Sequence, residues 1–280
     1  MVQTDNPLRK YFRQPAIYLR LPSGGQHWPP GSLNMPPNGE LPIYPMTAVD
    51  EITSRTPDAL FNGSAVVDII RSCVPNILNP WAAPASDITA LLVAVRLASY
   101  GHALEIGTKC SSCNEENDFE VDLRVVLDGL RSGDYETPLQ SGDLTIYFTP
   151  MNYQQINENN RVQFEDQKTI QSLVTSDINE EEKINLLANA YKKITELTIA
   201  SVKNSISMIK TADSIVNEPV FIEEFLRNCN KELFEAIRDR AIQLRENSDF
   251  KPLKITCPSC QHNFEQPFTL DLTSFFGAAS

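Results

Sequence analysis

Two C-x-x-C pairs, Cys110-Ser111-Ser112-Cys113 and Cys257-Pro258-Ser259-Cys260, have 143 residues between them and constrain the fold more than anything else in the chain. Each pair has the same surroundings. Leu104-Glu105-Ile106 leads into the first and Phe119-Glu120-Val121-Asp122-Leu123 follows it; Leu253-Lys254-Ile255 leads into the second and Phe268-Thr269-Leu270-Asp271-Leu272 follows. Apolar and polar residues alternate with period two in these segments, which predicts half-buried strands. Each cysteine pair is therefore expected at the turn of a hairpin, with a return strand of the form Phe-x-apolar-Asp-Leu.

Two residues between cysteines let one tight turn aim both sulfurs at a point about 2.3 Å from a metal, and two such turns complete a tetrahedron. The expectation is one structural Zn2+ per chain in a two-knuckle β zinc ribbon, bound by Cys110, Cys113, Cys257 and Cys260. Four thiolates leave no position for water or substrate, which argues against catalysis at the metal. A redox C-x-x-C would start a helix in a βαβ context, which neither pair does. An iron–sulfur cluster also accepts four cysteines, but matched knuckles on strand hairpins suit a single ion better. His262 is expected to face solvent or lie beside the site, and His27 and His102 have no partner at metal-ligand spacing. Cys73 and Cys229 read as small apolar side chains packed in helices.

The fold class expected is α+β, with a long helical insertion between the knuckles and an extended Pro-rich N-terminal arm. Residues 1–48 hold nine prolines, which exclude helix; Ala16–Leu21 and Glu40–Tyr44 are strand-like and suggest a loose hairpin around a loop from Ser23 to Gly39. A loop that long contacts a partner or is mobile. Residues 49–150 should carry helices over Asp50–Leu60, Ser64–Cys73 and Ile88–Gly101, the last capped by Ser86-Asp87 and buried centrally, then the first knuckle and a strand over Asp143–Phe148. Residues 151–249 read as helices: Tyr153–Val174, Asn179 to about Lys210, Val220–Cys229 and Lys231–Glu246, with Pro219 in a first turn. Residues 250–280 supply the second knuckle and a tail.

The net charge of −12 repels phosphate polymers and anionic lipid surfaces. No basic-then-apolar leader and no run of about 18 apolar residues occurs, so no membrane association is expected. The cysteine usage fits a reducing cytosol. No nucleophile elbow, phosphate-binding glycine loop, dinucleotide fingerprint or zinc-protease motif is present, and an enzyme is not expected. Glu180-Glu181-Glu182 and Glu223-Glu224 read as solvated helix faces. Arg9-Lys10-Tyr11-Phe12-Arg13 is the compact basic and aromatic cluster of the chain; it suits either an anchor to a partner or closure of the arm onto its own core.

Leu21-Pro22-Ser23-Gly24, Ile69-Ile70-Arg71-Ser72-Cys73, the helix from Asp87 to Ser99, and Lys109-Cys110-Ser111-Ser112-Cys113 followed by Phe119–Leu123 occur in an order that resembles the baseplate hub subunit and hub assembly family of T4-like contractile-tailed bacteriophages. The resemblance covers residues 16 to 272 loosely, and the two knuckles are its specific part. It implies a non-enzymatic structural or assembly component of a tail baseplate. Its partners would be other tail proteins and other copies of itself, met in the host cytoplasm during assembly and in the finished virion. A zinc-ribbon nucleic-acid-binding protein is the alternative. Glu115, Glu116, Asp118 and Glu120 around the first knuckle weigh against it.

Overall fold

The computed structural model describes residues 6–54, 63–175, 180–268 and residue 275. The chain divides into two compact units. The first comprises Met1–Pro80, Asp87–Leu130 and Phe250–Ser280; the second comprises Trp81–Ser86 and Arg131–Asp249. Both mix helix and strand, as the α+β reading expects.

In the first unit the arm is a hairpin, β1 (Ile17–Leu19) paired antiparallel with β2 (Leu41–Ile43). Its helix-free reading holds except for a single 3-10 turn at Pro7–Tyr11, where the side chain of Asn6 accepts from the Leu8 amide. Alternation sends Leu19, Leu41 and Ile43 into the core, and all three are buried. The long loop is not left loose around the hairpin. It folds back on its own unit through the Leu33–Ile77 bridge and backbone hydrogen bonds from Asn34 to Asn76 and from Leu78 to Ser32.

Helices α1 (Ala48–Ser54), α2 (Ser64–Cys73) and α3 (Ala85–Tyr100) follow. The expected first helix runs on to Leu60, and residues 55–60 of that expectation lie outside the described residues. Helix α2 has the bounds read from sequence, and it buries Val66, Val67, Ile69 and Ile70 along one side. In α3 the run from Ala90 to Val95 is wholly buried, in keeping with apolar residues on every side. Asp87 does not cap α3. The helix starts at Ala85, and the Asp87 carboxylate accepts from the Ser23 amide (2.9 Å), the Ser23 hydroxyl and Trp28 Nε1 (2.7 Å). An acid in the first turn is favourable to the helix dipole in either role, but here the donors come from the arm, which sequence spacing does not reveal. Burial pushes the Asp87 carboxyl above its usual range, against the lowering effect of those hydrogen bonds. Arg13 fastens the other end of the arm. Its guanidinium donates to Ser72 O (2.7 Å) and Ser72 Oγ (2.8 Å) and pairs with Asp50 at 3.3 Å.

The second unit contains a sheet where helices were expected. Strands β5 (Leu139–Ser141), β6 (Leu144–Phe148), β7 (Ile206–Lys210) and β8 (Ile215–Val216) form an antiparallel sheet in that order. Only β6 was legible. The expected helix up to Lys210 stops at Asn204, because Val202 and Ile206 continue the helical spacing while the chain has already turned into β7. The helices are α5 (Tyr153–Thr175), α6 (Glu180–Asn204), α7 (Pro219–Asn228) and α8 (Lys231–Glu246). Pro219 does occupy the first turn of α7, and Asn230 caps α8 by accepting from the Leu233 amide at 2.8 Å. Ile146, Phe148, Ile206 and Ile209 from the sheet pack with Val202, Ile222, Leu226, Ile237 and Leu244 from the helices.

Glu223 ties α6 to α7: Lys203 Nζ reaches it at 2.8 Å and Arg227 at 2.7 Å, and these hydrogen bonds hold its carboxyl down at about 2. A depressed carboxylate stabilises the fold above its unfolded value of 4.5, and that contribution is lost as pH falls through about 2. Glu223→Gln is therefore expected to be less stable than the native chain at neutral pH and to converge with it in acid, measured by urea unfolding at several pH values.

Candidate metal centre

Strands β3 (Ala103–Lys109) and β4 (Glu116–Asp122) form the first hairpin, and β9 (Leu253–Thr256) and β10 (Asn263–Gln266) the second. The two cysteine turns are built alike. Cys110 N donates to Glu115 O at 2.9 Å and Asn114 N to Cys110 O at 3.0 Å; Cys257 N donates to His262 O and Gln261 N to Cys257 O, both at 2.9 Å. The residue after each second cysteine is left-handed, Asn114 at φ 59° and Gln261 at φ 60°. This single residue reverses the chain so that both thiols of a pair lie on the inside of the turn. Asparagine tolerates that conformation and glutamine less so.

The matched ladders correct one part of the repeat. The strand that pairs in the second hairpin is Asn263–Gln266, ahead of Phe268; residues 269–272 of the expected return strand lie outside the described residues. Phe268 sits beyond the ladder, buried edge-on against Phe250 with ring centroids 4.9 Å apart. At the end of the first hairpin, Leu123 is not strand. Asp122 accepts from the Arg124 amide and caps a short helix, α4 (Leu123–Gly129), that sequence reading missed; an Asp at the end of a strand ahead of Leu-Arg-Val-Val-Leu was its signal.

The four cysteines of the two turns converge. Cys110 Sγ lies 3.7 Å from Cys260 Sγ, Cys113 Sγ lies 3.7 Å from Cys257 Sγ, and all four sulfurs fall within 4.8 Å of one another. The pairs are 150 and 144 residues apart in sequence. A disulfide needs about 2.05 Å, so these are separate thiols. A tetrahedron with metal–sulfur bonds of about 2.3 Å has edges of about 3.8 Å, which the two cross-hairpin distances match. Thr108 Oγ1 and Gln266 Oε1, 2.7 Å apart, join the hairpins further along, and Asn117 Nδ2 points at Cys257 Sγ from 3.9 Å. Cys110 and Cys257 are buried, whereas Cys113 and Cys260 are exposed.

Cys110 and Cys113 do not titrate alike. The amides of Cys113 and Ser112 face the Cys110 sulfur and bring its pKa down to about 6. The Glu115 amide acts the same way on Cys113, but desolvation and the neighbouring sulfurs outweigh it and push that thiol up to about 12. Four thiols this close cannot all ionise alone, and a bound cation is what permits it. The set could hold one metal ion with every position filled by sulfur.

Of the remaining candidates, His262 is exposed, stacks on Phe264 and contributes its carbonyl rather than its ring to the turn. Cys73 is buried in α2 beside Arg13, with its thiol pushed up to about 12 by burial; Cys229 follows α7. Neither joins the cluster. No helix among the described residues is long and apolar enough to cross a membrane.

Residues 20–277 match the family model described as T4 bacteriophage base plate protein. The chain belongs to this family. The family resemblance drawn from the knuckles is thus met at the level of the T4-like baseplate. The matched span of the base plate protein takes in the second arm strand, both hairpins and all four clustered cysteines. Neither a curated protein nor a solved structure matches the chain.

The left-handed turn residues give a direct check on this base plate protein's knuckles. Gln261→Gly should keep or raise stability by up to about 1 kcal/mol, and β-branched Gln261→Val should lower it by about 1–2 kcal/mol, measured by chemical unfolding.

Proposed function

We propose that this chain is a non-enzymatic structural or assembly component of a contractile phage tail baseplate, at its hub, and that Cys110, Cys113, Cys257 and Cys260 hold one structural Zn2+ per chain. The observation that carries the reading is the closed set of four sulfur donors in a chain of the base plate family. Soft thiolates in a tetrahedron are the preferred surroundings of zinc, and with no vacant position the ion has no route to substrate or water. Its work is mechanical. It clips residues 49–150 to residues 250–280 at the two ends of the insertion formed by residues 151–249.

The size of that contribution follows from small zinc domains, where apparent binding is worth roughly 10–16 kcal/mol. Two-stranded hairpins of four to seven residues are marginal alone, so each knuckle depends on the ion more than on its own ladder. The chain acts through protein–protein contacts with other tail proteins and with its own copies, assembling in the host cytoplasm and ending in the virion baseplate. The exposed face of the first hairpin carries Glu105, Glu116, Asp118 and Glu120, with Glu105 directly opposite Glu120, and such a face repels nucleic acid.

Tagged native chain and Cys257→Ser, each produced during infection, test the proposal. The native chain is expected to sediment with tail baseplates and to carry one zinc, and Cys257→Ser to lose the metal and drop out of the baseplate fraction. A native chain that sediments alone contradicts the tail assignment. A metal-free Cys257→Ser chain that assembles normally contradicts the clip.

A further inference from the structure

Helix α6 carries an apolar stripe that its own unit leaves open. Ile184, Tyr191 and Ile194 are exposed at 63%, 68% and 41%. They stand seven and three residues apart, with Leu187 between the first two in the sequence and Thr198 four residues beyond the last. Alternate steps of three and four residues keep all of these on one side of a helix, which is the spacing of a coiled-coil seam. Other sides of α6 are occupied within the unit: Ile199 and Val202 pack into the core, and Asn159 of α5 donates to Ser201 at 2.9 Å.

The stripe runs into a cleft of the second unit. This cavity of about 340 Å³ is lined by Ile194, Thr198 and Val202 of α6, Gln163 of α5, and Arg238 and Arg245 of α8. The two arginines are the charged groups in a largely apolar lining. Arg238 is paired with the adjacent Asp239 at 2.8 Å, and Asp249 lies within electrostatic reach of Arg245, but neither acid lines the cleft. From Ile184 to Val202 the stripe and the cleft extend over about 27 Å, or about five turns. A face of that length is covered by another helix rather than by a small ligand.

The chain itself supplies a helix that fits. Helix α6 begins Glu180-Glu181-Glu182-Lys183, a run of net charge −2, and Glu180 stands four residues ahead of Ile184 on the side of the stripe. Two copies of α6 laid antiparallel about a two-fold axis would set Tyr191 against Ile194 of the second copy. Each glutamate run then reaches the far end of the other α6, beside the cleft whose charges are arginines. The residues that flank the stripe in its middle, Ala188, Ala190, Thr195 and Leu197, are uncharged, so no like charges oppose across the axis. A parallel pair would instead bring the two glutamate runs together and leave both clefts open. We infer that α6 pairs antiparallel with α6 of a second copy, each seating its glutamate-led half in the other's cleft. Such a contact is isologous and closes at two copies. It deepens the contact between copies in the proposed function and rests on that reading only for copies meeting at all.

Sedimentation equilibrium of the full chain, with metal content measured in every sample, tests the pairing. The native chain is expected at twice its mass of 31.4 kDa at micromolar concentration. Tyr191→Glu alters an exposed side chain and places two acids at the axis; it is expected to self-associate at least ten-fold more weakly with an unchanged unfolding midpoint. Arg245→Glu is expected to weaken pairing several-fold, and Glu180→Lys with Glu181→Lys in the same chain to restore it. Benzoylphenylalanine in place of Ile184 is expected to cross-link on irradiation to residues 197–205 or to α8 of a second copy. A monomeric native chain, a Tyr191→Glu chain that pairs as strongly as the native one, or a cross-link to residues 184–187 of the second copy overturns the inference. So does a monomer whose residue 184 captures a different tail protein. A monomer that still sediments with baseplates during infection contradicts the α6 pairing and leaves the tail assignment standing.

Discussion

Four sulfurs within 4.8 Å of one another, drawn from turns 144 and 150 residues apart, are the constraint on which the first unit depends. Nothing else in the two hairpins is strong. Each has two strands, their side chains are half-buried at best over much of their length, and like charges oppose at Glu105 and Glu120. The turns are nonetheless built to one plan, with a left-handed residue after the second cysteine, and in the first of them the Ser112 amide is aimed at the Cys110 sulfur. That plan costs strain at Asn114 and Gln261 and crowds thiols that repel once ionised. A dication at the centre offsets both, which is why the proposed zinc and the hairpins form one argument.

The rest of the unit is held by a different chemistry. The arm has little secondary structure of its own, yet it is fixed at both ends by polar contacts at least partly buried: Arg13 on Ser72 and Asp50, and Asp87 on Ser23 and Trp28. These groups anchor the hairpin whose Leu19, Leu41 and Ile43 enter the core. A proline-rich segment thereby acts as a structural strap. A hydrogen-bonded buried charge specifies one arrangement, since a displaced Asp87 would be left without partners in a dry environment.

Much of this was legible from residues alone. Period-two alternation located both strands of the first knuckle and the leading strand of the second, apolar clustering gave α2 its bounds, and the cysteine spacing picked out the four side chains that converge. What escaped was set by contacts distant in sequence. Strand β7 pairs with β6, which lies some sixty residues earlier, and its Ile206 continues the spacing of α6, so local pattern favoured helix. Asp87 stands where a cap belongs, and only the folded arm shows its true donors. The Phe-x-apolar-Asp-Leu repeat misled for a related reason: in the first copy it joins a strand to a helix cap, whereas in the second the ladder ends before Phe268.

X-ray absorption spectroscopy on the purified chain, combined with elemental analysis, tests the central claim most directly. The account predicts one zinc per chain with four sulfur neighbours at about 2.3 Å and no nitrogen or oxygen neighbour. A chain purified without metal, one carrying iron with visible absorbance, or a zinc with an oxygen neighbour in place of a sulfur would contradict it.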